Sequence, residues 1–460
     1  MSEDSAAATK TSTMTAAAVL ADRAVAARSV GLAEPVRHAA VRAVVDWYGA
    51  AVAGGVVAPA TLLRGVLPSG GGRARLLGAG PGVGTDARTA ALVNGTAAHT
   101  VELDDIYSPG LYHPGAPTVA AAMAVADERG SSGLELLRAV TVGYELGNRV
   151  AETVNPAHYA YWHTTGTVGA IGAAAAVAEL VGLDAERFGH ALATATTFAA
   201  GLQQAFRSDA MSKPLHAGRA AEAGVLAALA AEAGVTGASD VLEGAAGFGA
   251  AMSRAPDWST ATAEFDGDYR IQRTSVKPYP CCGHAFAPID ACLALREQGV
   301  AAGDVAQLSI SSYGTALAVA GNPAPTTGFE AKFSIPFVAA VALLDGAVTL
   351  ESFDGARTAD PEIRRLLEVT ELVEDPELTG AFPSKRGARA EVVDKEGRSR
   401  VVKVPSRSGD PDNPIGDQQL DSKMRALVGP VVGAPRAEEL SAALWRLAEA
   451  GPVREELPWL

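Results

Sequence analysis

The stretch from Asn94 to Pro117, NGTAAHTVELDDIYSPGLYHPGAP, concentrates side chains that can move protons. It holds two histidines, three carboxylates and two tyrosines, and apolar helical sequence lies on both sides of it. Polar side chains cost free energy when they are buried without partners, and a loop rich in glycine and proline interrupts this stretch. The pattern therefore predicts a chemical site beside a loop, and not part of an apolar core.

Within this stretch, the spacing predicts that His99, Glu102 and Asp105 share one face of a helix, because residues three apart are neighbours on a helix. His113 follows on the loop. A histidine beside carboxylates can titrate near neutral pH, which suits general acid–base chemistry. Asp104 and Asp105 also fit a role in capping a helix or orienting a histidine. Glu102 is therefore the preferred candidate among the three carboxylates.

Two other segments bring histidine and lysine to predicted helix starts. HTTGTVG places His163 and Thr164 before an Ala/Gly-rich helix, and SKPLHAG places Lys213 and His216 at the start of another. The N-terminal end of a helix carries unpaired N–H groups and a positive dipole end. This environment lowers the pKa of a histidine and favours the neutral imidazole.

Length and composition limit the class of protein. The 460 residues suggest two domains, and 48% hydrophobic with only 5% aromatic residues favours closely packed helices. A net charge of -14 without a basic stripe argues against nucleic-acid binding. Three cysteines cannot supply a disulfide framework and lack metal-site spacing. No targeting or membrane-spanning segment is recognised, so we expect a soluble, cytoplasmic protein.

Helical periodicity dominates up to about residue 269, with predicted helices at 15–29, 35–53, 87–101 and 133–154. Near residue 270 the alanine-rich pattern ends, and strand-like alternation appears at 307–313 and at 386–404, with a hairpin turn at 395–397. We therefore predict a mainly α protein. Its large all-α helical domain comprises residues 1–269 and 405–460, with residues 1–12 disordered, and a smaller α/β domain comprises residues 270–404.

Several motifs in their order along the chain resemble those of the MmgE/PrpD family. They are VVDWYGAAVAG at Val44, NGTAAHTVELDD at Asn94, HPGAP at His113, GYELGNRV at Gly143, HTTGTVG at His163, SKPLHAGRAAEAG at Ser212, KPYPCCGH at Lys277, AKFSIPFVAAVALLDG at Ala331 and GDPDNP at Gly409. The resemblance implies a large helical domain with an α/β lid, an active site in the cleft between them, and a homodimer. It also implies that no cofactor and no metal are needed.

The resemblance assigns site residues motif by motif. The implied catalytic residues are His113, His163, Lys213, Lys277, Glu102 and Tyr313. The implied substrate-binding residues are Lys213, Lys277, Thr164 and His284. The implied supporting residues are His99, Asp104, Asp105, His216 and Cys282. This chain departs from the decarboxylase branch in Glu102, where aspartate is frequent, in one extra loop residue before His113, and in Cys282, where some relatives have a histidine.

The expected function is that of a cofactor-independent lyase acting on a small di- or tricarboxylate, with dehydration preferred over decarboxylation. Both reactions share the removal or delivery of a proton at carbon next to a carboxylate, which needs a tuned base and positive charge. A decarboxylase, and an epimerase or isomerase of a related carboxylate, are the alternatives among enzymes. A carboxylate-binding protein that kept the fold is the non-enzyme alternative.

Overall fold

The computed structural model describes residues 14–68, 70–206, 210–254, 256–265 and 267–458, so the disorder predicted for residues 1–12 lies outside the described part. Eleven helices precede residue 262 in that part. They are α1 (Ala16–Ala27), α2 (Glu34–Gly55), α3 (Ala60–Val66), α4 (Ala87–Thr100), α5 (Gly115–Arg129), α6 (Gly133–Val154), α7 (Thr164–Leu180), α8 (Ala185–Thr197), α9 (Ser212–Glu232), α10 (Phe248–Met252) and α11 (Trp258–Ala261).

Helices α4, α5, α6, α7 and α9 pack closely because small residues line their contacts. At Gly218 of α9, a Cβ atom would lie 2.1 Å from the Leu92 carbonyl oxygen of α4. At Gly224, a Cβ atom would lie 2.4 Å from the Ala173 Cβ atom of α7. Glycine and alanine therefore set the spacing of the bundle that carries the site residues. A short two-stranded ribbon of β1 (Ala74–Arg75) and β2 (Gly84–Thr85) joins α3 to α4.

The second part of the chain builds a separate apolar core around a four-stranded sheet. Its helices are α12 (Phe286–Glu297), α13 (Gly314–Ala320), α14 (Gly328–Ala331), α15 (Ile335–Asp345), α16 (Pro361–Glu368) and α17 (Pro376–Ala381). Its strands are β3 (Val305–Ser312), β4 (Thr370–Glu374), β5 (Ala388–Asp394) and β6 (Ser399–Val404). The strand order is β4-β3-β5-β6, with β3 parallel to β4 and antiparallel to β5. Ser309 pairs with Glu391 in this register.

The chain then returns to the helical part through α18 (Asp417–Val432), α19 (Ala434–Trp445) and α20 (Val453–Glu456). Leu420 and Met424 of α18 and Leu440 of α19 are buried in the same core as α2. The C-terminal helices therefore close the helical bundle that the first half of the chain began. Among the described residues, no single helix is both long and apolar enough to cross a membrane.

The mainly α fold with a smaller α/β part is confirmed, as are the helices predicted at 15–29, 35–53, 87–101 and 133–154. Strands β3, β5 and β6 and the turn at 395–397 were also predicted, whereas β4 was missed. In β4, three of five residues are exposed, so it lacks an alternating apolar pattern. The domain boundaries at residues 269 and 405 stay a prediction.

Candidate active site

A cavity of about 490 Å³ lies where the loops and helix starts of the helical part meet the α/β part. The α4–α5 loop, the starts of α7 and α9, and the loop before α12 each contribute to its wall. Its polar lining comprises Glu102, His113, Tyr159, His163, Lys213, Lys277, Cys282, His284, Lys332, Arg386 and Arg407. Six of the residues expected from the sequence to act on or bind a substrate therefore share one cavity.

The Glu102 carboxylate forms ion pairs with two of the lysines that line the cavity. Helix α4 ends at Thr100, and Glu102 has a φ of 59°, so the prediction that His99, Glu102 and Asp105 share a helical face was wrong. The left-handed turn instead directs the Glu102 carboxylate between two lysines. Lys213 donates a hydrogen bond to Oε1, and Lys277 Nζ lies 3.3 Å from Oε2. Although burial favours the neutral acid, these two cations lower the pKa of Glu102.

A buried hydrogen-bonded cluster of His99, Asp104 and His113 lies beside Glu102. His99 Nδ1 is 2.6 Å from the Asp104 carboxylate. His113 Nδ1 lies 2.8 Å from the carbonyl oxygen of Asp105. A carbonyl can only accept, so this contact keeps the proton on Nδ1 and leaves Nε2 of the neutral imidazole as an acceptor. Burial lowers the pKa of His113, although the Asp104 carboxylate acts to raise it. The ring is therefore neutral at pH 7.

Asp105 supports the loop that carries His113. Its carboxylate accepts hydrogen bonds from the Gly115 N–H at 2.9 Å and from the Tyr144 hydroxyl at 2.7 Å. Burial raises the pKa of Asp105 to about 7, because these two hydrogen bonds do not offset desolvation. Asp105 is not among the residues that line the cavity, and it lies behind the cavity wall.

His163 is the N-cap residue of α7 and is buried in the cavity wall. Its Nδ1 lies 3.0 Å from Nδ1 of His216, which is half-buried and lines a neighbouring cavity. Burial, together with His99 and Lys213, holds the pKa of His163 well below its usual value. Burial also lowers the pKa of His216 to about 4. The pair therefore presents neutral imidazoles to Lys213 and its surroundings.

The α/β part supplies the opposite wall. Lys277 is almost completely buried, and Cys282 and His284 line the cavity beyond it. His284 Nδ1 lies 2.7 Å from the hydroxyl of Tyr313. The sequence suggested that Tyr313 acts on the substrate directly, but its ring lies behind His284 and is absent from the cavity lining. Burial lowers the pKa of His284 to about 4 and raises the pKa of Tyr313 to about 12.

Thr164 differs from the expectation that it binds substrate. Its side chain is fully buried and accepts a hydrogen bond from the Asn155 amide at 3.3 Å. It does not contribute to the cavity lining. The backbone explains the difference, because Thr164 is the first residue of α7 and its side chain turns toward the segment that follows α6.

Three cations in the cavity wall were not expected from the sequence: Lys332, Arg386 and Arg407. Lys332 belongs to the AKFSIPF segment that carried the family resemblance, so its motif offered a signal. Arg386 and Arg407 flank β5 and β6, where arginines are common and no spacing singles them out. Contacts with distant segments hold them at the cavity, because Arg407 donates a hydrogen bond to the Gly283 carbonyl and Arg386 donates one to the Ser108 hydroxyl.

His99, Asp104 and His113 could be considered for metal binding, because one ligand atom of each lies within 4.8 Å of the others. Both Nδ1 atoms, however, already have oxygen partners in Asp104 and the Asp105 carbonyl. Lys277 Nζ also lies 3.8 Å from Asp104, which places a competing cation at the carboxylate. The arrangement fits a hydrogen-bonded histidine cluster better than a metal centre.

The structure therefore combines a helical bundle with an α/β part, and a cationic, histidine-lined cavity lies where they meet. Family models agree: the MmgE/PrpD N-terminal domain matches residues 18–261, and the MmgE/PrpD C-terminal domain matches residues 279–448. The chain belongs to the MmgE/PrpD family.

Curated relatives cover most of the chain. Cis-aconitate decarboxylase of Homo sapiens is 30% identical over 364 residues, which is 76% of this chain and 74% of the relative. The Mus musculus cis-aconitate decarboxylase is 27% identical over 78% of this chain and 75% of its own length. The cis-aconitate decarboxylase-like protein oryM of Aspergillus oryzae is 27% identical over 80% of this chain and 81% of its own length.

Proposed function

We propose that this protein is a cofactor-independent lyase that decarboxylates a small di- or tricarboxylate. One observation carries the proposal: five cationic side chains and a single carboxylate, Glu102, line a cavity that also holds three neutral histidines. Such a lining attracts a multiply charged anion and stabilises negative charge that develops during reaction. The three curated relatives, all named for cis-aconitate decarboxylase, support the choice of decarboxylation.

In this proposal the lysines and the histidines have different roles. Lys213 and Lys277 hold substrate carboxylates, because their ammonium groups flank Glu102 at the cavity centre. His113 and His163 are neutral at pH 7, so each can accept a proton but is a poor donor. The ammonium groups are the proton donors of the cavity.

Decarboxylation at this site consumes one proton for each CO₂ that is released. The C–C bond to one carboxylate breaks, CO₂ leaves, and the electron pair of that bond remains on the substrate. An ammonium group, Lys213 or Lys277, then gives a proton to the carbon that carries the electron pair. Solvent reprotonates the lysine, so one proton is consumed in each turnover. Positive charge around the cavity lowers the barrier by stabilising the intermediate electron pair.

Dehydration is the second candidate, and Cys282 favours it. Cys282 lines the cavity at the place where some decarboxylase relatives have a histidine, and burial raises the pKa of its thiol, so it supplies no charge there. In dehydration, His113 or His163 would take a proton from carbon next to a carboxylate. An ammonium group would then protonate the leaving hydroxyl.

A product assay tests these two candidates. Purified protein is incubated with cis-aconitate and with hydroxylated tricarboxylates, while released CO₂ and new double bonds are measured separately. We expect CO₂ release that Lys277→Met lowers by about 100-fold or more, since charge stabilisation by one group contributes on this scale. Lys403→Met, at an exposed position of β6, is the matched control and keeps full activity.

Double-bond formation without CO₂ from a hydroxylated substrate would assign the protein to the dehydratases. Entry of solvent deuterium into an otherwise unchanged carboxylate would indicate an epimerase. Binding of tricarboxylates with no turnover of any of them would overturn the lyase proposal and leave a binding protein.

A further inference from the structure

Two cations of the cavity wall have no acidic partner. Lys332 and Arg386 both line the cavity, and neither forms an ion pair with a carboxylate of the described residues. Arg386 donates one hydrogen bond from Nη1 to the Ser108 hydroxyl at 3.1 Å, and its Nε–H is buried without a hydrogen-bond partner. Buried polar groups normally have partners. The two side chains therefore offer hydrogen bonds and charge that the described protein groups do not use.

The other cavity cations each have a carboxylate of the protein within ion-pair distance. Lys213 and Lys277 pair with Glu102, and Lys277 also faces Asp104. Arg407 binds Asp410 through two hydrogen bonds of 2.8 Å each, and its remaining donor reaches the Gly283 carbonyl. Lys332 and Arg386 are the two cations of the described lining without a carboxylate at ion-pair distance.

Both residues belong to the α/β part of the chain. Lys332 follows α14, and its carbonyl accepts a hydrogen bond from the Cys282 N–H at 3.0 Å. Arg386 precedes β5, with its guanidinium 5.9 Å from the Phe382 ring. Burial lowers the pKa of both side chains, and Arg407 adds to this for Arg386. An anion that is bound in the cavity and contacts both side chains would offset this cost of desolvation.

We propose that Lys332 and Arg386 form a carboxylate-binding subsite that determines specificity. It holds a carboxylate of the substrate that is remote from the reacting carbon. The inference rests on the proposed function and deepens it, because it restricts the substrate to a compound with at least two separated carboxylates. Lys213 and Lys277 hold the carboxylate at the reacting end.

Binding of unreactive probes tests the subsite without any turnover. Propane-1,2,3-tricarboxylate, which has neither a double bond nor a hydroxyl group, is compared with butanoate, which has one carboxylate. Affinities are measured by titration calorimetry, with butanoate titrated by displacement of the tricarboxylate. The variants are Lys332→Met, Arg386→Met and Arg386→Lys, and Lys403→Met is the control.

We expect Lys332→Met and Arg386→Met each to weaken tricarboxylate binding by about tenfold or more, since each removes a charge-assisted contact. Butanoate binding should change less than about twofold on this basis. Arg386→Lys should retain part of the tricarboxylate affinity, because the charge stays while the planar donor pair is lost.

Equal weakening of both probes would overturn the subsite, because the two cations would then act only through the general field of the cavity. Unchanged tricarboxylate binding in the two Met variants, with intact thermal unfolding, would overturn it as well. If tricarboxylate binds as expected but no carboxylate is turned over, the subsite stands and the lyase proposal fails. The two proposals can therefore fail separately.

Discussion

Lys277 contacts Glu102 at two points: its Nζ lies 3.1 Å from the Glu102 carbonyl oxygen and 3.3 Å from the side-chain Oε2. A φ of 59° is unfavourable for a residue other than glycine and persists only when surrounding contacts hold it. Lys277 belongs to the segment that leads into the α/β core, whereas Glu102 follows α4. The contact therefore positions the Glu102 carboxylate and joins the two parts of the protein at one place.

Replacing Glu102 with glutamine tests this ion pair. Gln keeps the size of the side chain but removes the charge between Lys213 and Lys277. We expect turnover to fall by about 10- to 100-fold, since misplaced or unbalanced lysines no longer match the substrate. Steady-state kinetics on the substrate found in the product assay gives the measurement.

Glu102→Asp is the matched control for that change, because it keeps the charge and shortens the arm. Its activity should lie between that of the unmodified protein and that of Glu102→Gln. Equal activity of all three proteins would show that the carboxylate has no part in the reaction.

Asp105 gives a pH dependence of stability with a defined sign. Its pKa is about 7 in the folded protein, against 3.8 as the ordinary value, so the folded state binds one more proton between these limits. The stabilisation from Asp105 is complete below pH 4 and is lost as pH rises toward 7. The Asp105→Asn variant has no group that titrates at this position. Its stability relative to the unmodified protein should therefore rise with pH, by on the order of 4 kcal/mol across the window.

Urea unfolding of both proteins at several pH values between 4 and 8 measures this difference. Buried histidines such as His158, whose pKa burial lowers to about 4, act in the opposite direction. They are common to both proteins, so they cancel in the comparison. A difference that stays constant with pH would contradict the raised pKa of Asp105.

The buried ion pair of Arg75 and Asp127 anchors β1 to α5. Two side-chain hydrogen bonds of 2.7 Å join them, and both side chains are almost inaccessible to solvent. Asp127→Asn leaves a buried guanidinium without its counter-charge and should cost about 3–5 kcal/mol of unfolding free energy. The exposed pair of Arg129 and Glu232 is the control. Glu232→Gln should cost less than about 1 kcal/mol in the same urea titration.

Gly218 tests how closely α9 approaches α4. A Cβ atom there would lie 2.1 Å from the Leu92 carbonyl and 2.2 Å from the Thr96 hydroxyl. Gly218→Ala must push the helices apart, which we expect to lower stability by about 1–3 kcal/mol. Gly65→Ala is the control, because no atom lies within 4 Å of its would-be Cβ. That change in α3 should be stabilising by about 0.5–1 kcal/mol. Thermal unfolding of both variants measures these changes in stability. A Gly218→Ala variant that is as stable as the unmodified protein would contradict the close packing.

The sequence by itself determined the helical class and picked out six of the residues that line the cavity, whereas the domain boundary near residue 270 stays a prediction. Helical periodicity is local, so α2 and α6 could be recognised without their neighbours. Motif order identified Lys213 and Lys277, although 64 residues of chain separate them and nothing in their spacing indicates that they meet at Glu102.

Only the tertiary structure decided which of these side chains face the cavity. Thr164 and Tyr313 turned out to lie behind the wall, and Arg386 turned out to line it. The left-handed turn at Glu102 is likewise invisible in a pattern that predicts a continuing helix. The physical reason is that a side chain's neighbours depend on contacts between distant segments, such as the sheet against the loop before α12. Local propensity fixes the elements, whereas long-range packing sets the charge that each site residue meets.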